Sequence, residues 1–226
     1  MEAMVSEQSA ESVEFERHTI SQIYLFLARS FSYPAKEFYE AMKGIETTEE
    51  LNYLVEGLPF DVDFKGIPSP SLSQDDFENE YVNTFDINPS RPLYETAYSR
   101  EDMCSREVYE DLLRFYEHFD IKLSEKEKDF PDHIAAELEF MVFLAKKEAD
   151  ALERGKDANP YRHAQLDFLE RHLDKWVYKL DEKIQKKVKE PFYKGASAFI
   201  VEFLDSHILY LRKILNPEAS GLKKSS

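Results

Sequence analysis

The chain has little of what several common protein classes require. Only one of its 226 residues, Cys104, is a cysteine, so neither an intrachain disulfide nor a cysteine-rich metal site can form. A single cysteine with no evident base near it in sequence is more often inert than nucleophilic. Only six residues are glycine, and they are scattered. This scarcity disfavours turn-rich β folds, P-loops and other glycine-rich phosphate sites.

Long apolar stretches are also missing. The sequence contains no run of about 18 apolar residues and no basic segment followed by a short apolar one. It therefore predicts neither a membrane helix nor a secretory signal peptide, and we expect a soluble, cytoplasmic protein. Neither a strand-like alternation nor an internal repeat is found.

Negative charge and aromatic residues are abundant. The formal net charge is −16, and residues 1–90 carry 18 acidic and 5 basic side chains. Such a charge repels nucleic acids and anionic membranes and attracts a basic partner, although a solvated acidic surface that only maintains solubility explains it equally well. The 17 Phe and 13 Tyr residues can fill a sizeable core.

Apolar residues at helical spacing predict an all-α fold with a single globular domain of about seven to nine helices. The domain is expected over residues 13–215, with flexible tails at residues 1–12 and 216–226. Proline, glycine and capping residues divide the domain into helices near 13–31, 35–42, 47–57, 74–85, 105–119, 132–154, 159–180 and from 191 onward.

The segment from Phe130 to Met141 predicts a loop that leads into a long helix. Asp132 is the expected N-cap, and His133 is expected in the first turn. The two side chains could form an acid–base pair, but no nucleophile accompanies them, and a structural or binding role is the simpler interpretation. A di-metal site is not predicted, because the Glu-x-x-His pattern of such sites does not occur.

A second segment combines aromatic and acidic residues. Phe77, Tyr81 and Phe85 share one helical face, and Glu78 and Glu80 lie beside them. Core packing is the simpler explanation for Phe77 and Phe85. An apolar pocket rimmed by carboxylates would also suit a peptide that has a basic head and an apolar segment.

These two segments carry a resemblance to a known family. Residues 80–85, Glu-Tyr-Val-Asn-Thr-Phe, followed by Pro89, Pro92 and Glu95-Thr96, resemble the Glu-Tyr-x-x-Leu-Phe and proline-rich segment of redox-enzyme maturation chaperones, the TorD/DmsD/NarJ-like proteins. Thr84 stands where these proteins usually have Leu. Residues 131–141 are similar to the second signature of the family, Asp-His followed by Glu-Leu-x-Phe. Residues 172–176 and 192–193 also fit its C-terminal helices.

The resemblance implies a TorD-like helical fold and a chaperone rather than an enzyme. Such proteins bind the twin-arginine signal peptide or N-terminal segment of a molybdopterin-containing catalytic subunit. They assist cofactor insertion and delay export until the subunit is mature. The resemblance implies no cofactor, although weak GTP binding is attributed to some members. The negative charge predicts no nucleic-acid partner, and the lack of a long apolar run predicts no membrane insertion. We expect a monomer or a domain-exchanged dimer.

Residue by residue, the resemblance implies a peptide-binding role for seven positions. Tyr81 and Phe85 would line a groove beside Pro92, Glu80 and Glu95 would meet basic residues, and Asp132 and His133 would lie at a hinge loop. The alternative is an enzyme that acts on a small anion or a nucleotide with Asp132 and His133 as its acid–base pair.

Overall fold

The computed structural model describes residues 18–87, 92–99, 105–121 and 130–216. These ranges hold nine α-helices and no β-strand, which confirms the predicted all-α fold. The first helix, α1, is described over residues 18–30. The others are α2 (Lys36–Lys43), α3 (Ile45–Glu56), α4 (Gln74–Tyr81), α5 (Ser105–His118), α6 (Ile134–Glu153), α7 (Asn159–Arg171), α8 (Leu173–Lys187) and α9 (Pro191–Leu215). Cys104 and nearly all of the two predicted tails lie outside the described residues.

The core is built around the long C-terminal helices. α9 packs against α7 and α8, and α6 packs against α7. Trp176, Tyr193 and Phe203 are among the largest fully buried side chains. Apart from four alanines, the buried apolar residues of the described ranges belong to one cluster. None of the helices in these ranges is both long enough and apolar enough to cross a membrane.

A segment without helix or strand, residues 58–73, lies against the N-terminal half of α9. The Ser71 backbone N–H and hydroxyl donate to the two carboxylate oxygens of Glu190, at 2.8 and 2.7 Å. The ring of Phe64 lies 4.6 Å from that of Phe199. Gly195 permits close approach, because a Cβ there would lie 2.7 Å from Pro68 Cδ. This segment, which connects the helices predicted near 47–57 and 74–85, is therefore a packed part of the fold.

Several predicted helix boundaries were wrong. The expected helix over 159–180 is two helices, because the backbone turns at His172, with φ −119° and ψ −92°. The helix predicted near 47–57 is α3, and it begins earlier, because its N-cap is Gly44 and its first residue is Ile45. The predicted helix over 74–85 does begin after Ser73, whose hydroxyl accepts the Asp76 N–H, but its last turn over Val82–Asp86 is a wider π turn.

Candidate functional site

The proline-rich part of the first motif segment meets the second motif segment at the N-terminus of α6, although about 40 residues separate them in sequence. Tyr94 and His133 form an isolated antiparallel bridge. Beside it, the Ile134 N–H donates to the Leu93 carbonyl at 2.8 Å. Half-buried Pro92 leads into this bridge. The structure therefore brings Pro92, Glu95, Asp132 and His133 into one region, which we call the motif junction (residues 92–98 and 130–137, with His172 and Trp176).

Asp132 does not cap α6, contrary to the sequence prediction. The cap is His133, whose Nδ1 accepts the Ala135 N–H at 3.2 Å. Asp132 is fully buried, and its Oδ2 accepts from both the backbone N–H and the hydroxyl of Thr96, at 3.1 and 2.7 Å. These bonds direct the carboxylate and the imidazole toward different partners. The arrangement fastens two loops together, and its contacts do not favour an acid–base pair.

Glu95 connects the junction to the break between α7 and α8. It is 4% exposed, and His172 Nδ1 lies 2.9 Å from its Oε2. On the other side of the ring, His172 Nε2 lies 3.4 Å from Asp111 Oδ2, without hydrogen-bond geometry. Asp111 in turn pairs with Arg171 near the surface. The Glu95 carboxylate therefore faces a buried imidazole and not solvent.

Glu137 adds a third buried carboxyl group to the junction. It is fully buried, and Trp176 Nε1 donates to its Oε2 at 3.4 Å. Burial raises the pKa of Glu137 well above its usual range, and the nearby carboxylates Glu95 and Asp132 raise it further, while the Trp176 hydrogen bond opposes them. The shift favours the neutral form of Glu137, and that form limits the negative charge that the junction must bury.

Glu80, Tyr81 and Phe85 lie apart from the junction. Tyr81 and Phe85 are only 4% and 3% exposed, and Phe85 packs edge-to-face on Tyr193 with ring centroids 5.3 Å apart. The Tyr81 hydroxyl donates to the Phe31 carbonyl at 3.1 Å. Glu80 is half-buried on the same helix. Tyr81 and Phe85 therefore support the core. Contact of Glu80, Tyr81 and Phe85 with a peptide stays a prediction.

An open groove lies between α1 and the α2–α3 pair, close to these aromatic residues. Its volume is about 570 Å³. Its lining is largely apolar. Leu25, Phe26, Phe38 and Leu54 are half-buried there, Met42 and Leu51 are buried, and Ala41 is exposed. Tyr33 lies at the edge of the groove and is 53% exposed. It contacts α4, because its ring lies 5.9 Å from that of Tyr81 and its hydroxyl donates to Glu78.

The rim of this groove is charged. Glu37 and Glu50 are exposed carboxylates on α2 and α3, and Arg29 is exposed on α1. An apolar trough of this kind with acidic residues at its edge suits a peptide that carries both an apolar stretch and basic residues. We call it the α1–α3 groove. Sequence reasoning missed it, although Leu25 and Phe26 fall outside the apolar stripe of the first helix and could have signalled a second apolar face.

The sequence comparisons bear on what this architecture is used for. The profile of the nitrate reductase delta subunit family matches residues 45–182, which include both motif segments. The chain belongs to this family. The predicted relationship to redox-enzyme maturation chaperones is thereby confirmed.

Individual members of the family are similar over most of the chain. The selenate reductase assembly chaperone protein of Thauera selenatis is 36% identical over 68% of this chain and 70% of its own length. The chlorate reductase assembly chaperone protein of Ideonella dechloratans is 30% identical over 81% of this chain and 85% of its own length. The perchlorate reductase assembly chaperone protein of Dechloromonas aromatica (strain RCB) is 30% identical over 83% of this chain and 88% of its own length. A solved structure from Archaeoglobus fulgidus, described as a candidate redox enzyme maturation protein, aligns with a TM-score of 0.44 and 17% identity over 86% of this chain and 94% of that one.

Proposed function

We propose that this protein is a cytoplasmic assembly chaperone for the catalytic subunit of one molybdopterin-containing oxidoreductase. It binds the signal peptide or N-terminal segment of that subunit, assists cofactor insertion and delays export until the subunit is mature. Membership of the nitrate reductase delta subunit family supports the general role. The relatives are named for the assembly of selenate, chlorate and perchlorate reductases and not for a reaction of their own, which agrees with a binding protein.

The α1–α3 groove is the observation that carries the peptide-binding part of this proposal. Leu25, Phe26 and Leu54 remain half-buried there, so each has apolar surface left to bury. Covering such surface contributes roughly 25 cal/mol per Å². An apolar segment of the client peptide would therefore supply most of the binding free energy.

Electrostatics would act mainly on the rate of encounter. The net charge of −16 attracts a cationic peptide over a distance of about 10 Å at moderate salt. Glu37 and Glu50 then lie where the basic head would rest beside the apolar stretch. Arg29 on the opposite helix would favour an orientation in which the basic head points toward α2 and α3.

A larger cleft between α5 and α7 fits such a peptide less well. Its volume is about 840 Å³, but charged side chains form much of its lining. Arg171 in this cleft already pairs with Asp111 and Asp167. A cationic peptide would have to compete with that guanidinium for the same carboxylates.

The test measures binding of a synthetic peptide that has two arginines followed by an apolar stretch, by calorimetry with purified full-length protein. Leu54→Gln should weaken binding about tenfold, because a partly exposed leucine surface worth about 1.4 kcal/mol would no longer be covered. Leu209→Gln is the matched control, since Leu209 is 64% exposed on α9 and should leave affinity unchanged. Equal affinities for all three proteins would contradict binding in this groove.

A charge variant tests the role of the rim separately. Glu50→Lys should lower the association rate and flatten its dependence on salt, whereas Glu117→Lys on α5 should change both much less. A peptide whose arginines are replaced by glutamine should bind the unmodified protein more slowly. If both variants and both peptides associate at the same rate, the acidic rim has no part in recognition.

A further inference from the structure

Three metal-ligating side chains converge where α1 and the end of α6 meet. His18 lies on α1, and Asp150 and Glu153 lie three residues apart on α6, so the two carboxylates share one helical face. One donor atom from each of the three residues lies within 4.8 Å of the other two. His18 Nε2 is 3.0 Å from Glu153 Oε1. This cluster is distinct from both the motif junction and the α1–α3 groove.

The surroundings favour a cation at this point. Within the described ranges, neither Asp150 nor Glu153 pairs with a lysine or an arginine. His18 and Asp150 are half-buried, and the His18 side chain is 27% exposed, so ligand exchange from solvent is possible while part of the hydration is already removed. The cluster also lies at the C-terminal turn of α6, where the partial negative charge of the helix carbonyls adds attraction for a positive ion.

We propose that His18, Asp150 and Glu153 form a binding site for a divalent transition-metal ion, and that Zn²⁺ is the ion that fits it best. One imidazole nitrogen and two carboxylate oxygens are ordinary zinc ligands, and the charge of the two carboxylates balances that of the ion. Donor atoms around tetrahedral Zn²⁺ lie about 3.4 Å apart, given metal–ligand distances of about 2.1 Å. The hydrogen-bonded pair therefore opens by a few tenths of an ångström, and the third donor moves inward by side-chain rotation.

The bound ion would join two helices that lie far apart in sequence. It would hold the part of α1 near His18 to the C-terminal turn of α6. Further along the chain, α1 contributes one wall of the α1–α3 groove. The ligand set leaves a fourth position for water. Because the ion would link two helices, its inferred role is to stabilise their packing; this role is independent of any client and does not rest on the proposed function.

The experiment titrates ZnCl₂ into untagged, chelator-treated, full-length protein and follows the heat and the thermal midpoint. We expect one tight ion per chain, weaker binding of Mn²⁺ and the weakest binding of Mg²⁺, which prefers oxygen donors. His18→Ala and Asp150→Asn should each lower zinc affinity at least tenfold. The thermal midpoint of the unmodified protein should rise by a few degrees with zinc, and those of the two variants should not.

His163→Ala is the matched control, because His163 is exposed on α7 and takes no part in the cluster. It should bind zinc as the unmodified protein does. Asp150→Asn keeps the shape of the side chain, so lost affinity with an unchanged circular dichroism spectrum reports the ligand and not the fold. Absence of a one-to-one zinc complex, or equal zinc affinity in the unmodified protein and both ligand variants, would overturn the proposal.

Discussion

The pH dependence of folding should be governed in part by a histidine in the core. His207 is fully buried on α9, and Tyr24 Oη lies 2.8 Å from its Nδ1. Phe60 stacks on the imidazole with ring centroids 5.4 Å apart. Burial lowers the pKa of His207 to about 3. When the phenol donates to Nδ1, the proton of the neutral ring is on Nε2, and protonation at Nδ1 would remove the acceptor of this hydrogen bond.

The size of the effect follows from proton linkage. In the unfolded chain the imidazole has a pKa of about 6.5, so the unfolded chain binds more protons than the folded one between that pH and about pH 3. The contribution of His207 to stability is thus complete above pH 6.5 and is lost as the pH falls. Between about pH 7.5 and about pH 5.5 the loss is about 1.4 kcal/mol, a tenfold change in the folding equilibrium.

Urea unfolding at those two pH values would measure the loss, and both values lie above the isoelectric point near 4.9. The fluorescence of Trp176 reports unfolding, because it is the only tryptophan and is 1% exposed. In His207→Gln, the side chain stays neutral at both pH values and can still accept a hydrogen bond from the Tyr24 hydroxyl. This variant should be less stable than the unmodified protein at both pH values. On acidification, however, its free energy of unfolding should fall by about 1.4 kcal/mol less than that of the unmodified protein.

Comparing the two proteins isolates His207, because Glu137 and every other titrating group is present in both. His163→Gln, at an exposed position on α7, should follow the unmodified protein. If His207→Gln and the unmodified protein lost the same free energy on acidification, the claim that burial keeps His207 neutral would be refuted.

Three other substitutions test particular contacts. Gly195→Ala places a Cβ 2.7 Å from Pro68 Cδ, so overpacking should lower the free energy of unfolding in urea by about 1–3 kcal/mol. An unchanged urea midpoint would mean that residues 58–73 can move away from the new methyl group at little cost. Glu137→Gln removes a buried carboxyl group whose raised pKa makes the protein less stable as the pH rises above the pKa of this group in the unfolded chain. Between about pH 5 and about pH 8, the free energy of unfolding of the variant should therefore increase relative to that of the unmodified protein. A difference that stays constant with pH would contradict this. Asp132→Ala leaves the Thr96 N–H and hydroxyl without their acceptor, which should cost about 1–3 kcal/mol and speed hydrogen exchange of the Thr96 amide; exchange at the original rate would argue against this contact.

Helix positions were largely predictable because their signals are local. Pro191 begins α9 as expected, and α6 ends close to the predicted boundary at residue 154, where Gly155 adopts a left-handed φ of +60°. The break at His172 was not predictable in the same way. No proline or glycine marks it, and it is accompanied by a contact with Glu95, which is 77 residues away in sequence.

In the candidate site, too, some features were predictable from local sequence and others depended on tertiary contacts. The resemblance located both motif segments, but it could not tell that Asp132 would bind Thr96 while His133 capped the helix. Nor could it separate Tyr81, which is buried, from the half-buried Leu25 and Leu54 that line the open groove. Helical spacing identifies an apolar face, but which faces are covered depends on the elements that pack against them.

The sequence by itself determined an all-α protein, its acidic charge and its family, because spacing, caps and motifs are properties of short segments or of composition. The tertiary structure alone decided which polar groups are buried together and which apolar surface stays open. Those outcomes depend on pairs such as Leu93–Ile134 and His18–Glu153, whose members meet only when the whole chain has packed. The free energy of such contacts includes burial and the neighbouring charges, and neither is encoded in any one segment.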